Sequence, residues 1–274
     1  STLSSSSAAS DVYKRQGYKV ILHDIKKEFL DNGIATIQQN LNRFFKKGKI
    51  SSEDIEFTLN NIKSTTNIDD ISNVDLVIEA ATEDFKIKSS LFSSLDQITH
   101  PHCILATNTS SISINKIADA TKRAHNVIGM HFMNPVPIMK LVEIIKTNRT
   151  SSETLDKIID ISKSLGKKPV ECLDSPGFVS NRILMPMINE AIFCLEQNVA
   201  TKEAIDGIMK LGMAHPMGPL ELADFIGLDV CLDIMEVLWS GFNDSKYRPC
   251  PLLKNMDSSG LLGKKTGKGF YKYD

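Results

Sequence analysis

The chain has 274 residues, 42% of them hydrophobic and 24% charged, a balance able to bury a real core in one large domain or two smaller ones. A formal net charge of -1 argues against nucleic acid or an anionic membrane surface as partner, and no apolar run approaches the roughly 18 residues of a membrane span. Five cysteines, at 103, 172, 194, 231 and 250, form no CxxC pair, which argues against a zinc site and a disulfide framework and suits a reducing compartment, the cytoplasm.

Residues 1–16 are Ser-rich and carry no apolar h-region, so they do not read as a secretory signal. We expect a leader that is disordered or foreign to the fold; a transit peptide is the other reading, since such peptides are Ser- and Arg-rich and poor in acids. The ordered pattern begins at Gly17. Residues 18–24 read as a short buried strand ending in Asp24, followed by a helix on Phe29, Leu30, Ile34, Ile37, Leu41 and Phe44. Lys46, Lys47 and Lys49 then form a basic cluster, which by itself reads as a solvated helix end.

Residues 50–70 are polar and helix-like. Strands are expected at 74–80, 104–107, 127–130, 141–145 and 169–173, with helices on Phe85 to Ile98 and near 152–165. Apolar strands alternating with helices predict a mostly parallel, doubly wound sheet. Past the Pro-Gly pair at 176–177 the period is helical throughout. The expected organisation is a leader (1–16), an α/β domain (17–174) and an all-helical domain (175–274).

Residues 108–143 hold the candidate chemistry: adjacent hydroxyls on Ser110 and Ser111, His131 at the end of an apolar run, and Glu143 inside an apolar strand. A carboxylate there is costly without a partner, and a His is a natural one. The carboxylate fixes the ring tautomer and stabilises the ring when it takes a proton, so a Ser–His–Glu constellation is the first chemical reading. The plainer readings are a core His, a strand-edge Glu and a pair of helix-capping serines.

In doubly wound sheets, ligands bind outside the carboxyl ends of the strands. An acid in the place of Asp24 binds ribose hydroxyls and repels a 2′-phosphate, favouring NAD over NADP; the alternative is a helix N-cap. The glycine-rich turn that should precede such an acid by about 20 residues is absent, because residues 1–16 contain no glycine.

Taken together, Asp24, EAATE (79–83), NTSSISI (108–114), HFMNPVPIMKLVEII (131–145), DSPGFVSNR (174–182), HPMGPLELADFIGLD (215–229) and GKKTGKGFYKY (263–273) resemble the 3-hydroxyacyl-CoA dehydrogenases, bacterial 3-hydroxybutyryl-CoA dehydrogenases above all, over residues 17–274. The resemblance implies a Rossmann domain followed by a helical domain that forms a homodimer contact. It implies an NAD-dependent enzyme acting on a short 3-hydroxyacyl-CoA, with no metal, and no nucleic-acid or membrane partner. By position, His131 would be the general base and Glu143 its orienting partner. Ser110 would bind the reacting oxygen, and Asn181 the thioester end and that oxygen. Asp24 would take the adenosine ribose, with Glu83 and Lys88 near the nicotinamide ribose. Asn108 and Asn134 would lie on cofactor- or substrate-facing turns, Lys265 on the nicotinamide side, and Lys47 against the CoA moiety. The alternatives are a dehydrogenase of a free 3-hydroxy acid, and a redox-inactive acyl-CoA-binding dimer, which the missing turn favours.

Overall fold

Alternation of apolar runs and amphipathic stretches becomes alternation of strands and helices in the computed structural model, which describes residues 18–273. Gly17 and the leader expected over 1–16 lie outside the described residues. The first strand, β1 (Val20–His23), leads into α1 (Lys27–Lys46), whose inner face is Leu30, Gly33, Ile37 and Leu41 at helical spacing. Next comes α2 (Ser52–Asn60), opened by a capping box in which Asp54 N–H donates to Ser51 Oγ (3.2 Å) and Ser51 N–H to Asp54 Oδ2 (2.9 Å).

The polar stretch 50–70 is not helical throughout: β2 (Ile62–Thr65) follows α2 and pairs parallel with β1, Val20 opposite Ile62. Its sequence, IKST, offers one large apolar side chain and therefore no period to read. Then come β3 (Leu76–Glu79), α3 (Phe85–Ile98), β4 (Ile104–Thr107), the short α4 (Ile114–Ala118), β5 (Val127–Phe132), β6 (Leu141–Lys146), α5 (Ser152–Ser164) and β7 (Lys168–Leu173).

The described strands form two sheets, β1-β2 and β3-β4-β5-β6-β7. All pairs are parallel except β5–β6. Every residue of β4 and β5 is buried, as expected for strands covered on both faces. Ile104, Ala106, Ile128, Met130, Val142 and Ile144 meet Ile158 of α5 in the core of this Rossmann-type unit. Among the described residues, β1 pairs only with β2 and β3 only with β4.

A second compact unit begins at Ser175. It consists of α6 (Ser180–Glu196), α7 (Lys202–Gly212), α8 (Pro219–Ile226), α9 (Leu228–Phe242) and α10 (Pro251–Ser258). Met185, Ile188 and Ile192 of α6 pack with Leu220, Cys231, Met235 and Leu238 in its core. The glycine-rich tail is pinned by Asp224, whose carboxylate accepts from Phe270 N–H (2.9 Å), Tyr271 N–H (2.8 Å) and the Tyr273 hydroxyl (3.1 Å). A Cβ on Gly269 would collide with that carboxylate, so the tail reaches it only as glycine.

Candidate active site

The antiparallel β5–β6 pairing sets the central geometry. In the β5–β6 ladder, His131 stands directly opposite Glu143. Side chains opposed across such a ladder leave on the same face with their Cβ atoms about 5 Å apart, near enough to meet. His131 Nδ1 lies 2.8 Å from Glu143 Oε2, and both residues are buried, 6% and 4% exposed. A carboxylate can only accept, so Nδ1 carries the hydrogen and Nε2 is the basic nitrogen.

Asn108 ties this strand to its neighbours. Its backbone N–H donates to Glu79 O at the end of β3 (2.8 Å), and its side-chain carbonyl accepts from Phe132 N–H (2.9 Å), next to His131. Ser110 follows two residues later on a turn held by Glu83. Glu83 Oε1 accepts from the Thr109 hydroxyl, from Ser110 N–H (3.0 Å), and from Ser111 N–H (3.1 Å) and Oγ (2.9 Å). Beyond the turn, Asp174 Oδ2 accepts from Ser113 Oγ (2.7 Å) and from Asn115 N–H (2.8 Å), fixing the start of α4.

Burial works to raise the Glu83 carboxyl, but the Thr109 hydrogen bond, the Lys88 charge and the Ser110–Ser111 donors outweigh it and hold the group below its ordinary value of 4.5. The sign follows: a depressed carboxyl contributes stability above its ordinary value, which is lost as the pH falls below it. We expect Tm to fall as the pH drops below 4.5, and to fall less in a Glu83→Gln variant, which has no carboxylate to protonate. Equal falls in both proteins would contradict this.

The other sequence-selected residues are placed as follows. Asp24 directly follows β1, partly exposed, its backbone N–H donating to Thr65 O (3.4 Å), with no side-chain partner among the described residues. Lys47 is exposed at the C-terminal end of α1, beside Arg43 and Lys46 of its last turn. Asn134 is exposed after β5. Lys88 is not at a surface: it is 1% exposed on α3. In the helical unit, Asn181 is buried in the first turn of α6, where its N–H donates to Gly177 O (3.1 Å), and Lys265 is ion-paired with Asp229.

The family model for the NAD binding domain of 3-hydroxyacyl-CoA dehydrogenase matches residues 5–175, and the model for the C-terminal domain of the same enzymes matches residues 177–273. The chain belongs to the 3-hydroxyacyl-CoA dehydrogenase family. It is 50% identical over 258 residues to the 3-hydroxybutyryl-CoA dehydrogenase of Clostridioides difficile, covering 94% of this chain and 92% of that one. It is 43% identical over 265 residues to human mitochondrial hydroxyacyl-coenzyme A dehydrogenase, covering 94% of this chain and 84% of that one. The crystal structure of (S)-3-hydroxybutyryl-CoA dehydrogenase from Ralstonia eutropha superposes with a TM-score of 0.95 at 47% identity, covering 98% of this chain and 95% of that one.

The cofactor of this dehydrogenase is NAD. Among the described residues the Asp24 carboxylate, at a strand's carboxyl end, has no side-chain partner, and an acid in that place suits ribose hydroxyls better than a 2′-phosphate. Residues 1–16 offer no glycine for a pyrophosphate turn. Sequence reasoning missed Glu79, Thr107 and Thr109, which hold the turns on which Asn108 and Ser110 sit, and Asp174, which fixes the start of α4. It also missed Lys167, a buried lysine that donates to Val136 O and to Met139 O (2.7 Å) in the loop after His131. Its desolvation pulls its pKa below the ordinary lysine value.

Proposed function

We propose that this chain oxidises (S)-3-hydroxyacyl-CoA to 3-oxoacyl-CoA with NAD and runs the reverse reaction, with short substrates such as 3-hydroxybutyryl-CoA preferred. The observation that carries the mechanism is the buried 2.8 Å His131–Glu143 pair in a chain of this family. His131 Nε2 takes the hydroxyl proton, Nδ1–H stays on Glu143, and the carboxylate stabilises the imidazolium that forms. NAD, when bound, would supply the hydride acceptor for the carbon that bears this hydroxyl. Ser110 holds the reacting oxygen, and Asn181 that oxygen and the thioester end. Asp24, Glu83, Asn108, Asn134 and Lys265 serve the cofactor and substrate, and Lys47 serves the CoA phosphates.

The functional unit is a homodimer through the helical unit, whose exposed apolar side chains include Leu211 (91%), Ile183 (67%) and Phe225 (54%). The five cysteines are free, which suits a reducing compartment such as the cytoplasm, and among the described residues no helix is long and apolar enough to cross a membrane. The glycine-free stretch 1–16 favours one competing reading, an acyl-CoA-binding dimer without redox activity.

Loss of NADH absorbance is the test, with acetoacetyl-CoA set against free acetoacetate. Turnover of the thioester and not of the acid is expected. Lys47→Ala should raise KM for the thioester about two- to fivefold, the value of an exposed ion pair, with kcat unchanged. Preference for the free acid moves the substrate to the hydroxy-acid class, and NADH untouched by either leaves the binding dimer.

A further inference from the structure

The loop that joins the strand of His131 to the strand of Glu143, residues 133–140, is poor in backbone donors. Pro135 and Pro137 carry no N–H, and the N–H groups of Ile138 and Met139 both turn back onto Pro135 O at 3.0 Å. Two carbonyls of the loop, Val136 O and Met139 O, are met from outside it by one ammonium, Lys167 Nζ, at 2.7 Å in the case of Met139. Val136 is 1% exposed and packs in the core, and its bond to Lys167 is buried. A buried carbonyl left without a donor is costly.

The backbone holds Lys167 ready for this contact. α5 ends in a Schellman motif: Gly166, at φ 71°, donates its N–H to Lys163 O (2.9 Å), and Lys167 donates its own to Ser162 O (3.0 Å). The next N–H, of Lys168, donates to Lys140 O (2.8 Å), where β7 begins to pair with β6. Lys167 thus leaves the chain between a capped helix end and a strand already bonded to the far end of the loop. The residue is 8% exposed, and no carboxylate pairs with it among the described residues. A lysine is seldom buried without an anion, so the two carbonyls are what hold the charge inside.

We propose that Lys167 is a positioning residue for the reaction: it sets the course of loop 133–140 and so the place of Asn134, three residues beyond His131. The kinetic consequence rests on the contact with cofactor or substrate proposed for Asn134. Lys167 acts through the loop and not on either ligand. Without the ammonium, Val136 O and Met139 O lose their donor and the loop drifts. The His131–Glu143 pair stays, because the β5–β6 ladder holds it.

Lys167→Met removes the donors at similar length, and Lys167→Arg keeps a cationic donor. Amide hydrogen exchange over residues 136–141 is expected to speed up about 10- to 100-fold in Lys167→Met, as for two lost hydrogen bonds, with residues 185–192 of the helical core unchanged. In the same variant kcat for acetoacetyl-CoA at saturating NADH is expected to fall about 10- to 100-fold, as for a misplaced ligand contact. Lys167→Arg should recover most of both. Unchanged exchange over 136–141 in Lys167→Met overturns the proposal. Faster exchange with kcat unchanged overturns it too, since the reaction would then need no fixed loop. Where Lys167→Met loosens the helical core as well, Lys167→Arg decides: loop exchange and turnover near those of the unsubstituted protein uphold the proposal, and loop exchange as fast as in Lys167→Met overturns it. An unsubstituted protein that leaves acetoacetyl-CoA untouched removes the proposed function instead, and loop exchange still reads whether Lys167 holds the loop.

Discussion

His131→Gln is expected to lower kcat for acetoacetyl-CoA reduction by about 10²–10⁴, the range for a lost general acid–base group, while KM for NADH stays within about twofold. The amide keeps an N–H donor of similar reach toward Glu143, so the buried carboxylate is still partnered and the fold is retained. His131→Ala differs. It leaves Glu143, 4% exposed in the middle strand of the β5-β6-β7 triplet, without its donor. Stripping one partner from a buried pair costs about 3–5 kcal/mol, readable as a shift in the urea midpoint. Glu143→Gln should approach the activity loss of His131→Gln, because an amide can settle the ring in the wrong tautomer and carries no charge to stabilise an imidazolium. The decisive contrast is activity against stability: His131→Gln inactive but stable, His131→Ala inactive and destabilised. A His131→Gln enzyme with wild-type kcat would remove His131 from the chemistry.

The pair was legible because its chemistry is local. A carboxylate inside an apolar run at 141–145 demands a partner; Lys140 and Lys146, three residues off, fall on the other face of a strand, and His131 is twelve residues away, across a loop short enough for two adjacent strands. Glu79 has the same signature, a carboxylate inside the apolar run 74–80, and by the same chemistry it called for a cation. It went unread because its partner sits nine residues on, on a helix face where Lys normally points to water, so nothing in the period of α3 marks Lys88 as buried. β2 was invisible for a different reason. Only its two ends are partly buried, and what makes IKST a strand is the parallel register with β1, a tertiary cause. The buried β4 and β5, by contrast, are apolar runs interrupted only by Thr107 and His131, and their composition announces them.

Replacing residues 1–16 by a strand followed by a GxGxxG turn is expected to tighten NADH binding by about 10²–10⁴. Backbone N–H groups at such a turn, backed by a helix N-terminus, bind the pyrophosphate. Two charge-assisted hydrogen bonds, at about 1.5–3 kcal/mol each, amount to about 3–6 kcal/mol and so to that ratio. A non-glycine residue cannot substitute, since a side chain keeps the backbone away from the phosphates. The same replacement should act on the sheet. In the doubly wound order 3-2-1-4-5-6, the strand that carries the glycine turn lies between the two that β1 and β3 represent, and among the described residues those two are edges of separate sheets. A strand supplied at that place would pair with both described edges, and the replacement is expected to raise Tm and reduce light scattering as well as tighten binding. Titrating NADH fluorescence into both proteins and heating both distinguishes the effects. Tight binding only in the replaced protein assigns the loss to the turn. Micromolar NADH affinity and a monodisperse, stable protein with residues 1–16 in place would show that this chain holds the pyrophosphate by other groups, and the glycine requirement would fall.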